Sequence, residues 1–533
     1  MSIYMIFIYA LCSIYMILNF KYDIQMFQQN SYRIPRFWKW LRNNLSSGWR
    51  LVDIACILLL LSVLLPYSIA AVISAIVAIV KIVLIFRKKH KKPLVFTKRV
   101  WRLYITCSLL ATCAVTAVAL NTTPSETYLG SYTGVALTIG SILLITTFSW
   151  IPVILANIIL IPVEKMIQQR YINDAKRILS SIPDLKIVGI TGSYGKTSTK
   201  HYLHRILSEK FDVLMTPGSF NTPMGVVRTI REQMRPYNEV FICEMGAKQI
   251  GDIKEICDIV HPHMGIVTAV GPMHLESFRT IENVQKTKFE LVDALPQDGL
   301  AVINHDFEFC ANRPVSNCAV QYYAVTNPAE TSYVASDVHY SQTGTTFVIE
   351  GPNGFRLPLE TRLLGECNVS DLLAAVCIAL ALGVEPDKIR YAVASISQVE
   401  HRLSMNQTPG GVTIIDDAFN SNPAGSKMAV DVLSHFKNSG KRIIVTPGMI
   451  ELGSRQFELN KELGKHIGEN VDIAIIVGEY NREPLSEGVR STEFNPENLH
   501  LVDSFNDAQQ LLSGILRSGD TVLYENDLPD TFK

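Results

Sequence analysis

The stretch from Ile187 to Lys200 constrains the fold most, because it joins a β-branched run, a glycine turn and the start of a helical pattern. The run Ile187–Ile190 predicts a buried strand, and Gly192 and Gly195 follow it closely. Glycine lets a backbone approach phosphate, and the amides and dipole at a helix start favour an anion. We therefore predict a phosphate-binding loop between a strand and a helix.

The side chains of this loop suggest how it would hold ATP. In such loops a lysine lies against the β- and γ-phosphates, and the hydroxyl after it reaches Mg²⁺. We expect Lys196 and Thr197 in these roles, and the other nucleotide-binding residues of the loop are Gly192, Ser193, Gly195 and Ser198. Ile190 stands where the usual pattern has a glycine, so a glycine turn without a ligand is the alternative. A lysine followed by two hydroxyl residues favours the phosphate loop.

Residues 191–198, T-G-S-Y-G-K-T-S, resemble the phosphate loop of the Mur ligase family, the ATP-dependent amide-bond ligases of peptidoglycan synthesis. The resemblance extends over residues 165–525 and is closest to the MurF branch. It implies a central ATP-binding domain at 187–400 and a smaller C-terminal Mur ligase domain at 401–533. We expect the second domain to close over ATP about a hinge near residue 400.

The segment spacing predicts α/β architecture for both domains. In the central domain, strand-like runs alternate with helical stretches, which predicts a P-loop ATPase-like parallel sheet covered by helices. The strand candidates there are 187–190, 239–243, 264–270 and 300–303, and the helical stretches include 197–209, 281–294 and 369–382. The C-terminal domain has strand candidates at 442–446, 473–477 and 521–524. Nucleotide binds at the C-terminal ends of parallel strands.

Two residues at predicted strand ends could hold magnesium. Glu244 follows one strand and His274 another, although each could instead be an ordinary surface or structural residue. The family resemblance implies that both are magnesium ligands together with Thr197, and that Lys288 is carbamylated and bridges the metal. Without the resemblance Lys288 would be a solvated helix lysine, and Lys286 lies close enough to compete for the role.

Further nucleotide contacts come from the resemblance alone. Gly365–Ala375 resembles the family's adenine-side helix start, in which Asn368 is retained and Asp371 replaces an asparagine. Arg402 is expected to contact phosphate, and Asp417 to orient nucleotide or metal-bound water. The acidic pair that includes Asp417 could otherwise be a simple turn. The tail after Leu523 departs from the family, which has a lysine-glycine-serine loop there.

Four apolar runs precede the central domain, at residues 2–20, 51–86, 103–120 and 133–163. Since about 20 residues cross a bilayer as a helix, the run 51–86 can cross twice around its break at Pro66–Ser68. We predict a transmembrane helical region over residues 1–163 with five crossings, followed by a polar connector at 164–186. A single long helix at 51–86 is the alternative, and it would change the orientation.

Charge is balanced overall but unevenly spread. Residues 1–102 carry fifteen Lys and Arg and two Asp and Glu, so the rest of the chain is acidic, unlike a nucleic-acid-binding domain. The segments 21–50 and 87–102 are basic, whereas 121–132 carries no Lys or Arg. Basic loops stay cytoplasmic, which places the domains after Glu164 in the cytoplasm, at the plasma membrane. The basic segments either anchor the topology or contact anionic lipid or a pyrophosphate head group.

These features predict an ATP-dependent carboxylate–amine ligase that works through an acyl phosphate, with Lys196, His274 and Lys288 as catalytic residues. The resemblance implies a muramoyl-peptide acceptor and an amino-acid or dipeptide amine, which is D-alanyl-D-alanine in the MurF branch. Because helices replace the UDP-binding domain of that branch, a ligase for a lipid-linked muramoyl peptide or another envelope precursor is an alternative. A non-catalytic, nucleotide-sensing membrane scaffold is another. A transporter is disfavoured by the expectation that the helices bury no charge cluster.

Overall fold

The computed structural model describes residues 3–44, 48–62, 66–87, 93–121, 128–273, 275–341, 344–397, 403–418, 422–436 and 440–526. The chain divides after Gln169 into two compact units, an N-terminal helical unit and a unit that holds two β-sheets. The predicted hinge near residue 400 lies outside the described residues, as do His274, Arg402 and the tail after Asn526.

The helical unit contains helices that match the apolar runs. Four of them, α1, α4, α5 and α7 below, are long and apolar enough to cross a membrane. The run 51–86 forms two helices, and the run 133–163 is broken between Thr147 and Trp150. The helices are α1 Ile3–Gln29, α2 Ile34–Asn44, α3 Gly48–Leu61, α4 Tyr67–Arg87, α5 Lys98–Asn121, α6 Tyr128–Thr147 and α7 Trp150–Ser180.

Buried ion pairs lie inside the described part of the helical unit, so the expectation of an interior without a charge cluster is wrong. Lys81 Nζ lies 2.7 Å from Asp53 Oδ2, and Arg50 Nη2 lies 3.2 Å from Asp23 Oδ1. The Tyr15 hydroxyl donates to Asp53 Oδ2 over 3.1 Å. These charges are isolated in the sequence, on α1, α3 and α4, and only helix packing brings them together. The argument against a transporter therefore loses this support.

The central domain is built on a nine-stranded sheet in the order β2-β3-β1-β4-β5-β6-β7-β8-β9. The strands from β2 to β7 run parallel, which confirms the predicted fold class, whereas β8 is antiparallel to both neighbours. The strands are β1 Lys186–Thr191, β2 Val213–Met215, β3 Val240–Glu244, β4 Met264–Val267, β5 Leu300–Asn304, β6 Ala319–Ala324, β7 Tyr333–Ser341, β8 Gly344–Gly351 and β9 Phe355–Thr361.

Helices cover both faces of this sheet, and side chains on alternate sides of β1 are therefore buried. Val188 and Ile190 pack in one core layer with α8 and α14, and Ile187 packs in the other with α9, α10 and α12. The helices are α8 Lys196–Leu207, α9 Pro223–Gln233, α10 Asp252–Val260, α11 Leu275–Phe278, α12 Ile281–Asp293, α13 Glu308–Ala311, α14 Glu366–Ala381 and α15 Pro386–Ala394. Burial of β1 on both faces places the phosphate loop at the end of a rigid central strand.

The C-terminal domain is a smaller six-stranded sheet in the order β10-β11-β15-β12-β13-β14. All its strands are parallel except β10, which is antiparallel to β11. The strands are β10 Ser404–Gln407, β11 Thr413–Asp417, β12 Arg442–Thr446, β13 Ile473–Val477, β14 Leu499–Val502 and β15 Thr521–Glu525. The helices are α16 Pro423–Ser434, α17 Gln456–Asn470, α18 Arg482–Arg490 and α19 Phe505–Ile515.

Candidate active site

The loop between β1 and α8 is closed by two glycines that no other residue could replace without strain. Gly192 has φ +154° and Gly195 has φ +77°. A Cβ atom on Gly192 would lie 2.0 Å from Thr268 Oγ1, and one on Gly195 would lie 2.2 Å from Asp371 Oδ1. The loop therefore packs tightly against the end of β4 and against α14, and both glycines are required for its shape.

Hydrogen bonds hold this loop in place at the start of α8. The Ser193 amide donates to Ala269 O over 2.7 Å, and its hydroxyl exchanges hydrogen bonds of 3.1 and 3.0 Å with the backbone of Gly271. Lys196 Nζ donates to Gly192 O over 2.7 Å and to Ser193 O over 3.2 Å, so the ammonium lies over the loop itself. A helix start with an ammonium folded over a glycine loop is suited to an anion.

Glu244 ends β3, the strand beside β1, and its carboxylate lies next to the start of α8. Thr197 Oγ1 is 3.3 and 3.2 Å from the two carboxylate oxygens. Asn221 Nδ2 donates to Oε1 over 3.0 Å, and Lys200 Nζ lies 2.9 Å from Oε2. Burial raises the pKa of Glu244, but the Lys200 and Lys196 ammonium groups outweigh it and hold the pKa below its usual value. The carboxylate is therefore ionised at neutral pH.

Neither Lys200 nor Asn221 was predicted from the sequence to contact Glu244. Lys200 is wholly buried and also donates to Gly218 O. A signal was present, because Lys200 lies four residues after Lys196 on the same helix, and such residues share a helix face. Its partner, however, is 44 positions further along the chain, so no local pattern could have identified the ion pair.

Lys288 is buried on α12, which contradicts the alternative of a solvated helix lysine, and the neighbouring candidate Lys286 is exposed. Burial lowers the pKa of Lys288 well below the ordinary lysine value, and the nearby Lys196 lowers it further, against the opposing effect of Asp252 and Glu290. A neutral amine is the form that can react with carbon dioxide. The site therefore suits the predicted carbamylation.

The donors near the phosphate loop fit a magnesium ion. A carboxylate and a hydroxyl oxygen are the ligand types that Mg²⁺ prefers, and Thr197 and Glu244 supply both at hydrogen-bond distance from each other. Among the described residues no group of three His, Cys, Asp or Glu side chains converges on one point. The expected third ligand, His274, lies outside those residues.

The two predicted adenine-side residues differ in their surroundings. Asn368 is buried between two helices, where its Nδ2 donates to Leu364 O over 2.7 Å and its Oδ1 accepts from the Tyr202 hydroxyl over 2.6 Å. These contacts use its amide within the protein. Asp371, one turn further along α14, lies against Gly195. The nucleotide-binding roles of both residues stay predictions.

In the C-terminal domain, Asp417 is the last residue of β11 and is held by hydrogen bonds. Its Oδ1 accepts from the Leu403 amide over 3.2 Å, and its carbonyl accepts from the Asn526 amide over 3.3 Å. Glu525, in the segment that departs from the family, is fully buried and accepts from the Ser426 hydroxyl over 2.7 Å. The functional role of Asp417 stays a prediction.

A phosphate loop and an adjacent carboxylate at the C-terminal edge of a parallel sheet define the class of P-loop nucleotide-using enzymes. The comparison with protein families makes this specific. Residues 190–379 match the Mur ligase middle domain, and residues 401–524 match the glutamate ligase domain of Mur ligases. Together these matches span more than half of the chain, and the protein belongs to the Mur ligase family of enzymes.

Similar proteins carry MurF names. The UDP-N-acetylmuramoyl-tripeptide--D-alanyl-D-alanine ligase of Bacillus subtilis (strain 168) is 27% identical over 342 residues, which are 64% of this chain and 72% of that protein. The enzyme of that name from Escherichia coli (strain K12) is 29% identical over 52% of this chain and 61% of its own length.

Solved structures of MurF enzymes have a similar fold. MurF from Acinetobacter baumannii shares the fold, with TM-score 0.61 and 24% identity over 68% of this chain and 77% of that one. MurF ligase from Thermotoga maritima, in complex with ADP, has TM-score 0.58 and 26% identity over 68% and 80% of the two chains.

Proposed function

We propose that the protein is an ATP-dependent ligase that joins D-alanyl-D-alanine to a UDP-N-acetylmuramoyl tripeptide. One observation carries this proposal: the phosphate loop, Thr197 and Glu244 lie together within a chain whose relatives are named for that reaction. The relatives' names supply the substrates, and the ADP complex of a structural relative supports ATP as the nucleotide.

The reaction takes place in two steps. An oxygen of the acceptor carboxylate attacks the γ-phosphorus of ATP, the bond to the ADP oxygen breaks, and an acyl phosphate forms. The amine nitrogen of D-alanyl-D-alanine then attacks the acyl carbon and loses a proton. Phosphate leaves with the former carboxylate oxygen, and an amide remains.

The residues of the site have distinct duties in this proposal. Lys196 neutralises charge on the phosphoryl group during its transfer, and the loop amides hold the phosphates in position for the attack. Thr197 and Glu244 would hold Mg²⁺ together with His274 and carbamylated Lys288, and the metal would reduce repulsion between the carboxylate and ATP. Arg402 and Asp417 would act from the C-terminal domain, whose closure would protect the acyl phosphate from water.

We also propose the placement of the chain. The apolar helices α1, α4, α5 and α7 would anchor it in the plasma membrane, with both sheet domains in the cytoplasm. The domain limits proposed are 1–163, 164–186, 187–400 and 401–533. The lipid-linked acceptor and the scaffold are not favoured, because the relatives carry the name of a nucleotide-linked ligase.

Phosphate release by the full-length protein tests this function. We expect release only when ATP, UDP-N-acetylmuramoyl tripeptide and D-alanyl-D-alanine are all present. The rate of release should fall at least about 100-fold in Lys196→Ala, as expected for the loss of a transition-state contact. Lys254→Ala is the matched control, because that lysine is exposed on α10 and should leave the rate unchanged. Phosphate release that does not depend on the tripeptide or on D-alanyl-D-alanine would refute the proposal.

A further inference from the structure

Among the residues that the structure describes, Lys200 is a charged group in contact with Glu244 that the reaction proposed above does not use. We propose that Lys200 is a positioning residue that makes cation binding at Glu244 depend on bound nucleotide. The idea rests on the proposed function, because it assumes that Glu244 meets the metal of a metal–ATP complex. It assigns Lys200 a duty that neither the phosphate-loop pattern nor the relatives' names supply.

The geometry fixes the ammonium against the carboxylate. The Lys200 and Glu244 side chains are 0% and 1% exposed, and Nζ lies 2.9 Å from Oε2. The ammonium also donates to Gly218 O, in the segment that joins β2 and α9. A wholly buried lysine cannot swing out to water without taking its ammonium away from the buried Glu244 carboxylate, which is costly in a buried site.

This arrangement penalises a metal ion that arrives alone. A divalent cation on Glu244 would lie within a few ångströms of a buried positive charge, where repulsion is poorly screened. Lys196 adds a second positive charge to the same carboxylate's surroundings. The nucleotide-free site is thus already neutralised by protein cations, and its affinity for a free divalent ion should be weak.

Bound ATP reverses the balance. A triphosphate in the loop places several negative charges beside Lys196 and the start of α8. The total charge then favours a further cation, and Glu244 can share it with the phosphates. Metal and nucleotide therefore bind cooperatively, and the Lys200 charge is the origin of much of that coupling.

The second partner of Lys200 ties this pair to the segment before α9. Asn221 in that segment donates to Glu244 Oε1 over 3.0 Å, and its carbonyl accepts from the Gly246 amide over 2.8 Å. Both oxygens of Glu244 are therefore oriented by the segment 216–222, directly or through Lys200. A neutral hydrogen-bond donor in place of Lys200 would keep this orientation and remove only the charge.

The experiment measures binding of Mn²⁺, used as the probe, to the full-length protein by the electron paramagnetic resonance signal of the free ion. It is done without nucleotide and with a non-hydrolysable ATP analogue. Lys200→Gln removes the charge and keeps a donor, and Lys200→Arg keeps the charge. Lys210→Gln is the matched control, since that lysine lies on the surface just after α8 and donates to the Leu382 and Gly383 carbonyls at the end of α14.

We expect Lys200→Gln to bind Mn²⁺ about 10-fold more tightly than wild type without nucleotide, as loss of one close repulsive charge predicts. The analogue should strengthen Mn²⁺ binding less in this variant than in wild type, Lys200→Arg or Lys210→Gln. Equal Mn²⁺ affinity in Lys200→Gln and wild type without nucleotide would overturn the proposal. Ligase activity is measured separately, so that result would leave the proposed reaction standing.

Discussion

Gly195 and Gly478, both with a left-handed backbone, allow a controlled test of how tightly the phosphate loop is packed. Their φ angles are nearly identical, +77° and +78°. A Cβ on Gly195 would lie 2.2 Å from Asp371 Oδ1, whereas nothing lies within 4 Å of a Cβ on Gly478. Alanine at either position costs about 1–2 kcal/mol for the left-handed backbone. Gly195→Ala adds about 1–3 kcal/mol for overpacking, so it should destabilise the protein more.

Urea unfolding of the two variants measures this difference in stability, and titration with a fluorescent ATP analogue measures how well the loop binds nucleotide. We expect Gly195→Ala to lose at least about 1 kcal/mol more stability than Gly478→Ala. Only Gly195→Ala should also weaken analogue binding, because the displaced loop no longer follows the phosphates. Equal losses of stability in the two variants, with analogue binding intact in both, would refute the packing argument.

Three further predictions concern buried charges. In bicarbonate-free buffer, Lys288→Met should be more stable than wild type near pH 7. The difference in unfolding free energy, measured in urea, should shrink by up to about 1.4 kcal/mol per pH unit as pH rises toward 10, because the unfolded lysine holds its proton there and the buried one does not. A difference that stays constant with pH would contradict this prediction. Burial lowers the pKa of His201 to about 4, so its neutral form is favoured in the folded protein. Acidification from pH 7 to 5 should therefore destabilise wild type more than His201→Gln, by about 1 kcal/mol after allowance for the partial exposure of the side chain. Equal losses of stability in the two proteins would count against this prediction. In the helical unit, Asp53→Leu alone should lower stability by about 3–5 kcal/mol, whereas the double variant Asp53→Leu, Lys81→Met should regain most of that stability. Thermal unfolding in detergent measures this, and a double variant no more stable than Asp53→Leu would contradict the prediction.

The parts of the fold and site that could be predicted are those with local signals. Ile187–Ile190, the glycines and Lys196 form one continuous stretch, and the structure places β1, the loop and α8 there. Glu244 was predictable because an apolar run leads directly to it, and parallel strands bring their ends to one edge. The antiparallel strands β8 and β9 were not predicted, because the prediction relied on strands that alternate with α-helices, and no α-helix lies between β7 and β9 among the described residues.

The rest depended on contacts between distant parts of the chain. Lys200 and Glu244 pair across 44 positions, and Asp53 meets Lys81 across two helices. A charged residue inside an apolar run looks isolated until packing supplies its partner. Asn368 is hydrogen-bonded inside the protein to Tyr202 and Leu364, contacts that the sequence does not reveal, and its nucleotide-binding role stays a prediction. Lys288 needed the structure to show its burial, which separates it from the exposed Lys286.

The account depends most on ATP activating a carboxylate, and oxygen-isotope transfer tests that step directly. The acceptor tripeptide is prepared with ¹⁸O in the carboxylate that becomes the amide, and the phosphate released during ligation is examined by ³¹P NMR. An acyl phosphate requires one ¹⁸O atom to appear in each phosphate, in step with amide formation. Amide formation that leaves the phosphate free of ¹⁸O, or ATP hydrolysis with no amide formed, would contradict it.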